Sequence, residues 1–175
     1  PQSQFKNGFV YLFADEFTNL NDVSIGKKTI LLLNELGYGI QIPKNLSSAR
    51  SYISKGMLAE AKEIANKNIL LLQEIINSES PLIGIEPSAL LSFRDEFPNL
   101  VDEDLRSEAN SLKENCLLID EFLAQEIKAK RISKDSFTTV NQKIVLHGHC
   151  HQKSIAGLAT RITTPSGDNA YISGV

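Results

Sequence analysis

"GFVYLFAD", residues 8–15, decides how this chain of 175 residues folds. The run is almost wholly apolar and ends in an acid, which is typical of a short strand buried on both faces of a parallel sheet. Three later stretches have the same character: "YGIQIP" (38–43), "PLIGIEPS" (81–88) and "KIVLHGHC" (143–150). We therefore predict strands near residues 9–14, 38–42, 82–86 and 143–147.

Segments with helical spacing of apolar residues separate these strands. After the first strand we expect a helix that Asp22 caps and Gly37 ends. Its apolar face would hold Ile25, Ile30, Leu32, Leu33 and Leu36. Further helices are expected at 57–76, at 103–130 with Cys116 in its buried face, and from Ser154 onward. Strands that alternate with helices predict one α/β domain over residues 1–175, in which a parallel sheet carries helices on both faces in a Rossmann-like three-layer arrangement.

Composition excludes several classes of function. The net charge of -3 and the mixing of Lys with Glu leave no basic stripe, so we expect no nucleic-acid partner. No apolar run approaches the roughly 20 residues that span a bilayer, and no signal peptide is recognisable. We therefore expect no membrane span and a cytoplasmic location. The chain begins at Pro1 without a methionine, which favours a fragment of a longer protein.

Polar residues follow the predicted strands where ligands of open parallel sheets bind, outside the carboxyl ends. Asp15 follows the first strand, Arg50 and Lys55 lie in the segment after the second, and Glu86 follows the third. We take Asp15, Arg50, Lys55 and Glu86 as candidate cofactor-binding residues. The structural alternatives are that Asp15 caps a helix and that Arg50 ties a carboxylate.

A cluster of histidine and cysteine follows the fourth predicted strand. "HGHCH" supplies the candidate metal ligands His147, His149, Cys150 and His151, because imidazole and thiolate are preferred ligands of zinc. The motif is too tight to provide all four ligands of a closed site. The alternative is that these histidines cap the following helix or bond to nearby carboxylates without a metal.

Four motifs together resemble a known type of domain. "FADEFTN", "SARSYISKGML", "GIEPSALLSFRDEFP" and "LHGHCHQK", in this order, resemble the cysteine-rich domain of FAD-linked oxidase and iron–sulfur fusion proteins, relatives of the D-lactate, glycolate and D-2-hydroxyglutarate dehydrogenases. The resemblance covers nearly the whole chain. It implies an electron-transfer domain at the carboxyl end of an enzyme that oxidises a 2-hydroxy acid. FAD and an iron–sulfur cluster would be cofactors of the full-length protein, and flavin and ferredoxin-like domains of the same or an associated chain would be its partners.

The chain departs from that pattern at the cysteines. Thr18 stands where the family often has a lone cysteine, and Ser47-Ser48-Ala49-Arg50 stands where it often has Cys-Cys-Gly-Arg. With Cys150 as the surviving ligand, this chain alone should not hold a four-thiolate cluster, and we expect instead a single zinc bound by Cys150 and at least one histidine. The alternatives are a metal-assisted hydrolase with a His/Cys/carboxylate site and a degenerate protein-interaction module.

Overall fold

The computed structural model describes residues 5–44, 46–137, 148–155, 162–163 and 169–170. In chain order its elements are β1 (Phe9–Phe13), α1 (Glu16–Leu20), α2 (Val23–Glu35), β2 (Gly39–Gln41), α3 (Arg50–Ser54), α4 (Leu58–Leu72), β3 (Leu82–Gly84), α5 (Pro87–Leu90), α6 (Glu96–Leu100), α7 (Arg106–Lys113), β4 (Cys116–Leu118), α8 (Ile119–Lys128), α9 (Cys150–Ile155), β5 (Ile162–Thr163) and β6 (Asn169–Ala170). Short 3₁₀ turns lie at Leu91–Phe93, Glu103–Leu105 and Lys134–Ser136.

Four strands form one parallel sheet in the order β2-β1-β3-β4. In its register, Phe9 lies opposite Gly39, Tyr11 opposite Leu82, and Leu82 in turn opposite Cys116. The predicted parallel sheet and its strands near 9–14, 38–42 and 82–86 are confirmed, whereas the strand predicted at 143–147 lies outside the described residues. β5 and β6 form a separate antiparallel pair.

The apolar core lies on both faces of the sheet, which explains why the strands read as continuous apolar runs. Leu82 belongs to a cluster packed with α4, α6 and α7, whereas its neighbour Ile83 belongs to a second cluster with α2 and α8. Successive side chains of a strand point to opposite faces, so β1, β3 and β4 each contribute to both clusters, whereas β2 contributes Ile40 to the second. The expected three-layer arrangement is confirmed.

The single long helix predicted over 103–130 is wrong. A turn after Lys113 leads into β4, which pairs with β3, and α8 begins only at Ile119. The apolar run from Cys116 onward can be buried on both sides of a sheet, and its backbone groups are satisfied by the strand ladder. The interpretation of Cys116 as a core residue is nevertheless confirmed, because its side chain is fully buried and that burial raises the pKa of the thiol.

The helix after β1 lies where it was predicted, but its cap and its buried face differ from the prediction. Gly37 ends the segment after α2 with a left-handed φ of 88°, as expected of a helix stop. Asp22 occupies the amino-terminal cap position of α2, but its side chain makes no capping hydrogen bond. Ile25 and Leu32 were expected on the buried face and are instead exposed, because α2 packs through Gly26, Thr29 and Leu33.

The helix predicted over 57–76 is confirmed as α4. α9 begins at Cys150, earlier than the expected start near Ser154, and residues 156–159 lie outside the described part of the chain. No helix among the described residues is both long and apolar enough to cross a membrane.

Candidate functional site

The carboxyl ends of the four parallel strands meet at one edge of the sheet. The strand order reverses between β1 and β3, since β2 lies to one side of β1 while β3 and β4 lie to the other. Loops diverge at such a switch point and leave a crevice, which is where open α/β sheets bind ligands. Asp15 follows β1 and Glu86 follows β3, so these two residues lie at the carboxyl ends of the two central strands.

Asp15 is held entirely by local hydrogen bonds. Its carboxylate is 1% exposed and caps α1, accepting from the backbone N–H groups of Phe17 (2.8 Å) and Thr18 (3.1 Å). It also accepts the Thr18 hydroxyl at 2.6 Å. The structure therefore gives Asp15 the role of helix cap, and its predicted cofactor-binding role stays a prediction.

A hydrogen-bonded network occupies the region where the resemblance places cysteines. Glu16 accepts from the Ser47 hydroxyl at 2.6 Å and from the Ser48 N–H at 3.0 Å. Partial burial alone would raise the pKa of Glu16, but these hydrogen bonds outweigh it and lower the pKa. The buried Asn68 side chain donates to the Ser47 carbonyl at 2.6 Å. Polar groups of the domain thus bond to one another here, although Asn68 Oδ1 is buried without a hydrogen-bond partner among the described residues.

These residues do not fit an iron–sulfur cluster. Such clusters are held by several thiolates, and the whole sequence has two cysteines. Cys116 is buried in the core on β4, and Cys150 is exposed at the start of α9. Thr18, Ser47 and Ser48 offer neutral hydroxyls, which are poor substitutes for thiolates on iron.

Ala49 has an unusual backbone conformation in this region. It lies at φ 55° and ψ 3°, in the left-handed region that favours glycine, directly before α3. The resemblance places glycine at this position. The backbone therefore retains a glycine-type turn although the residue carries a buried methyl group.

Arg50 and Lys55 lie at the two ends of α3 and differ in their surroundings. The Arg50 guanidinium donates to the Glu96 carboxylate and is largely buried with it. Lys55 is exposed. Arg50 thus forms an ion pair with a carboxylate, which is the structural role that the sequence analysis gave as the alternative to cofactor binding. The cofactor-binding roles of both residues stay predictions.

The two described histidines lie against carboxylates. His149 Nε2 is 3.9 Å from Glu86 Oε1, and His151 Nε2 is 3.6 Å from Glu96 Oε1. Their rings stack with centroids 6.0 Å apart. Glu86 also caps α5 by accepting the Ser88 N–H at 3.1 Å and the Ser88 hydroxyl at 2.6 Å. The arrangement of histidines beside carboxylates, which the sequence offered as an alternative to a metal site, is therefore present in the structure. His147 lies outside the described residues.

Asp95 was missed by the sequence reasoning, as was Glu96. One ligand atom each from Asp95, Glu96 and His151 lies within 4.8 Å of the others. The acidic pair stands in the quoted motif "SFRDEFP", which could have signalled it. Its proximity to the histidine motif is a tertiary contact that no local pattern encodes.

A second cluster of hydrogen-bonded ionisable groups lies at the opposite edge of the sheet. Tyr38 precedes β2 and donates to Glu126, which also accepts two hydrogen bonds of 2.5 Å from Arg131. Burial first, and then the contact with Glu126, raises the pKa of Tyr38. The hydrogen bonds from Arg131 lower the pKa of Glu126 despite its burial. This cluster fastens α8 to the amino end of the sheet and lies away from the candidate site.

Comparisons with known proteins identify relatives among dehydrogenases. No family model and no solved structure matches the chain. The D-2-hydroxyglutarate dehydrogenase of Pantoea ananatis is 25% identical over 142 residues, which are 81% of this chain and 13% of the relative. One subunit of the anaerobic glycerol-3-phosphate dehydrogenase of Escherichia coli K12 is 24% identical over 156 residues, 88% of this chain and 38% of the relative.

The chain therefore spans well under half the length of either relative. The D-2-hydroxyglutarate dehydrogenase of Escherichia coli K12 is again 25% identical over 142 residues. These matches confirm the resemblance found in the sequence motifs: the chain is a homologue of a segment of these dehydrogenases.

Proposed function

We propose that this chain is a domain of a flavin-dependent iron–sulfur oxidoreductase that acts on a 2-hydroxy acid, and that it adjoins the path of electrons from flavin to acceptor. The observation that carries the proposal is the homology of 81% of the chain with a segment of D-2-hydroxyglutarate dehydrogenase. That relative is named for a 2-hydroxy acid. The other relative is named as part of a dehydrogenase with several subunits, which supports a role beside partner domains or subunits.

The residues of this chain limit what the domain contributes. Because its two cysteines cannot supply a four-thiolate set, the cluster and the FAD would be held by ferredoxin-like and flavin domains of the same or an associated chain. The flavin would take the hydride from the substrate. The parallel sheet and its polar carboxyl edge would provide a rigid surface on which those domains dock.

A protein-interaction module is the second candidate. The hydrogen bonds that join Glu16 to Ser47 and Ser48 favour it, because they engage the hydroxyl and backbone groups at the positions where the resemblance places cysteines. A hydrolase has less support. It needs a carboxylate that can activate water, whereas Asp15 caps α1 and Glu86 caps α5.

The test uses the protein in which this chain occurs naturally, purified anaerobically with any associated subunits. We expect bound flavin, iron and acid-labile sulfide, and bleaching of the flavin absorbance when D-2-hydroxyglutarate, D-lactate or glycolate is added. The 175-residue chain alone should contain neither iron nor sulfide.

Four outcomes would decide against the proposal or part of it. Absence of flavin from the protein and its subunits would refute it, as would a flavin that no 2-hydroxy acid reduces. A reducible flavin in a complex without any cluster would favour the interaction module. Stoichiometric sulfide in the isolated chain would overturn the ligand argument.

A further inference from the structure

The group formed by Asp95, Glu96 and His151 combines ligands from two separate segments of the chain. Asp95 occupies the cap position before α6, Glu96 is the first residue of α6, and His151 lies in the first turn of α9. The Asp95 side chain is exposed and makes no capping hydrogen bond with α6, so its oxygens are available. The three ligand atoms lie within 4.8 Å of one another.

The neighbouring histidine has a different role. His149 Nδ1 accepts the backbone N–H of His151 at 3.2 Å, so this nitrogen carries no proton. In the neutral ring the proton then sits on Nε2, which faces Glu86. His149 is not part of the group formed by Asp95, Glu96 and His151. His151, in contrast, directs Nε2 toward Glu96 and the acidic pair.

The two oxygens of the Glu96 carboxylate differ in their partners. Its Oε1 accepts from Arg50, but its Oε2 is buried and has no hydrogen-bond partner within the described part of the chain. A buried carboxylate oxygen without a partner is costly. Two carboxylates against one guanidinium leave one net negative charge beside a neutral imidazole. A divalent cation bound by Glu96 would reverse that charge.

We propose that Asp95, Glu96 and His151 form a site for one divalent transition metal of the zinc class, with water as the fourth ligand and without Cys150 in the shell. Three protein ligands and a water are typical of open zinc sites. Ligand atoms about 2.0–2.2 Å from a tetrahedral ion lie about 3.3–3.6 Å apart. The 3.6 Å between His151 Nε2 and Glu96 Oε1, the oxygen that also accepts from Arg50, already matches. The exposed Asp95 can move in by rotation of its side chain.

This site goes beyond the proposed function, which requires no metal here. It also differs from the metal set predicted from the sequence, since it keeps His151 and replaces His147, His149 and Cys150 with two carboxylates and a water. Arg50 would be a positioning residue, because it fixes the orientation of Glu96.

The experiment titrates the 175-residue chain with Zn²⁺ by calorimetry and with Co²⁺ by absorbance spectroscopy. Asp95→Asn and His151→Gln should each lower the Zn²⁺ affinity at least tenfold. Cys150→Ser and the matched exposed control Asp104→Asn should change it less than twofold. The Co²⁺ complex should lack the near-ultraviolet charge-transfer band of a thiolate ligand. Circular dichroism confirms that each variant is folded.

Each contrary result is informative. Loss of affinity in Cys150→Ser together with a thiolate band would overturn the proposal in favour of the cysteine site. Equal affinity in Asp95→Asn, His151→Gln and wild type would place the metal elsewhere. A wild-type chain without saturable, one-to-one binding would refute a metal site at these residues.

Discussion

Ala49 and Ala65 are expected to respond differently to replacement by glycine. Both methyl groups are buried in the same apolar cluster. Removing a buried methyl costs about 0.8 kcal/mol, and the greater freedom of glycine in the unfolded chain costs about 0.7 kcal/mol more. Ala65 lies inside α4, so Ala65→Gly should lower the free energy of unfolding by about 1.5 kcal/mol.

At Ala49 an opposite contribution cancels this loss. Its φ of 55° places the Cβ in the left-handed region, where an L-residue is strained by roughly 1–2 kcal/mol. Glycine relieves that strain. Ala49→Gly should therefore leave the free energy of unfolding within about 0.5 kcal/mol of the wild type. The difference in the free energy of unfolding between Ala49→Gly and Ala65→Gly measures the backbone strain at Ala49.

Urea denaturation followed by circular dichroism would measure both variants, with an unchanged dependence on urea concentration as the check on comparability. For a chain of this size Ala65→Gly should also lower the Tm by about 3–6 °C. If Ala49→Gly were as destabilising as Ala65→Gly, the left-handed conformation, and with it the retained glycine-type turn, would be wrong.

Three further predictions concern capping, pH and backbone strain. Asp15→Ala should lower the free energy of unfolding by about 2 kcal/mol, because it leaves backbone donors of α1 unpaired. Asp22→Ala, at a cap position without a side-chain hydrogen bond, should change it by less than about 0.5 kcal/mol. Urea denaturation would measure both. Equal losses would contradict the assigned caps. The pKa of Glu126 is lowered, chiefly by its guanidinium partner, so its stabilising contribution is present above the ordinary value of 4.5 and is lost as the pH falls through the folded value. Glu126→Gln should therefore lower the free energy of unfolding by about 2 kcal/mol at neutral pH and by less in acid. A difference from the wild type that does not change with pH would count against the lowered pKa. Lys130→Gly should raise stability by about 1 kcal/mol since its φ is 61°, while the control Ala124→Gly inside α8 should lower it by a similar amount in thermal denaturation. A destabilised Lys130→Gly would contradict that backbone assignment.

The sequence predicted the fold best where burial alone decides it. β1 and β3 are enclosed on both faces, so their apolar runs are unambiguous, and α4 is long enough for its spacing to identify a helix. β4 could not be found in this way. Leu112, Cys116 and Ile119 keep helical spacing across a helix, a strand and the next helix. Pairing with β3 is a non-local interaction that decides the outcome.

The candidate site was predictable in location but not in composition. The exits of parallel strands identified Asp15 and Glu86 as edge residues, although both serve as caps. The contact of His151 with Glu96 joins segments distant in sequence, so neither motif alone indicates it. Sequence patterns show which residue types follow a strand. The packing of α9 on α5 and on the 3₁₀ turn Leu91–Phe93 determines which of these side chains come into contact.

The hydroxyls of Thr18, Ser47 and Ser48 also determine how this region responds to oxidants. A thiolate at these positions would be open to sulfenic and sulfinic acid formation, whereas a hydroxyl is not. Cys116 is shielded by its burial, which leaves Cys150 as the thiol that reagents can reach. Peroxide or an alkylating reagent should therefore modify the folded chain at Cys150 first. The turns around Glu16 should stay chemically unchanged, so that this part of the domain keeps its structure under oxidising conditions.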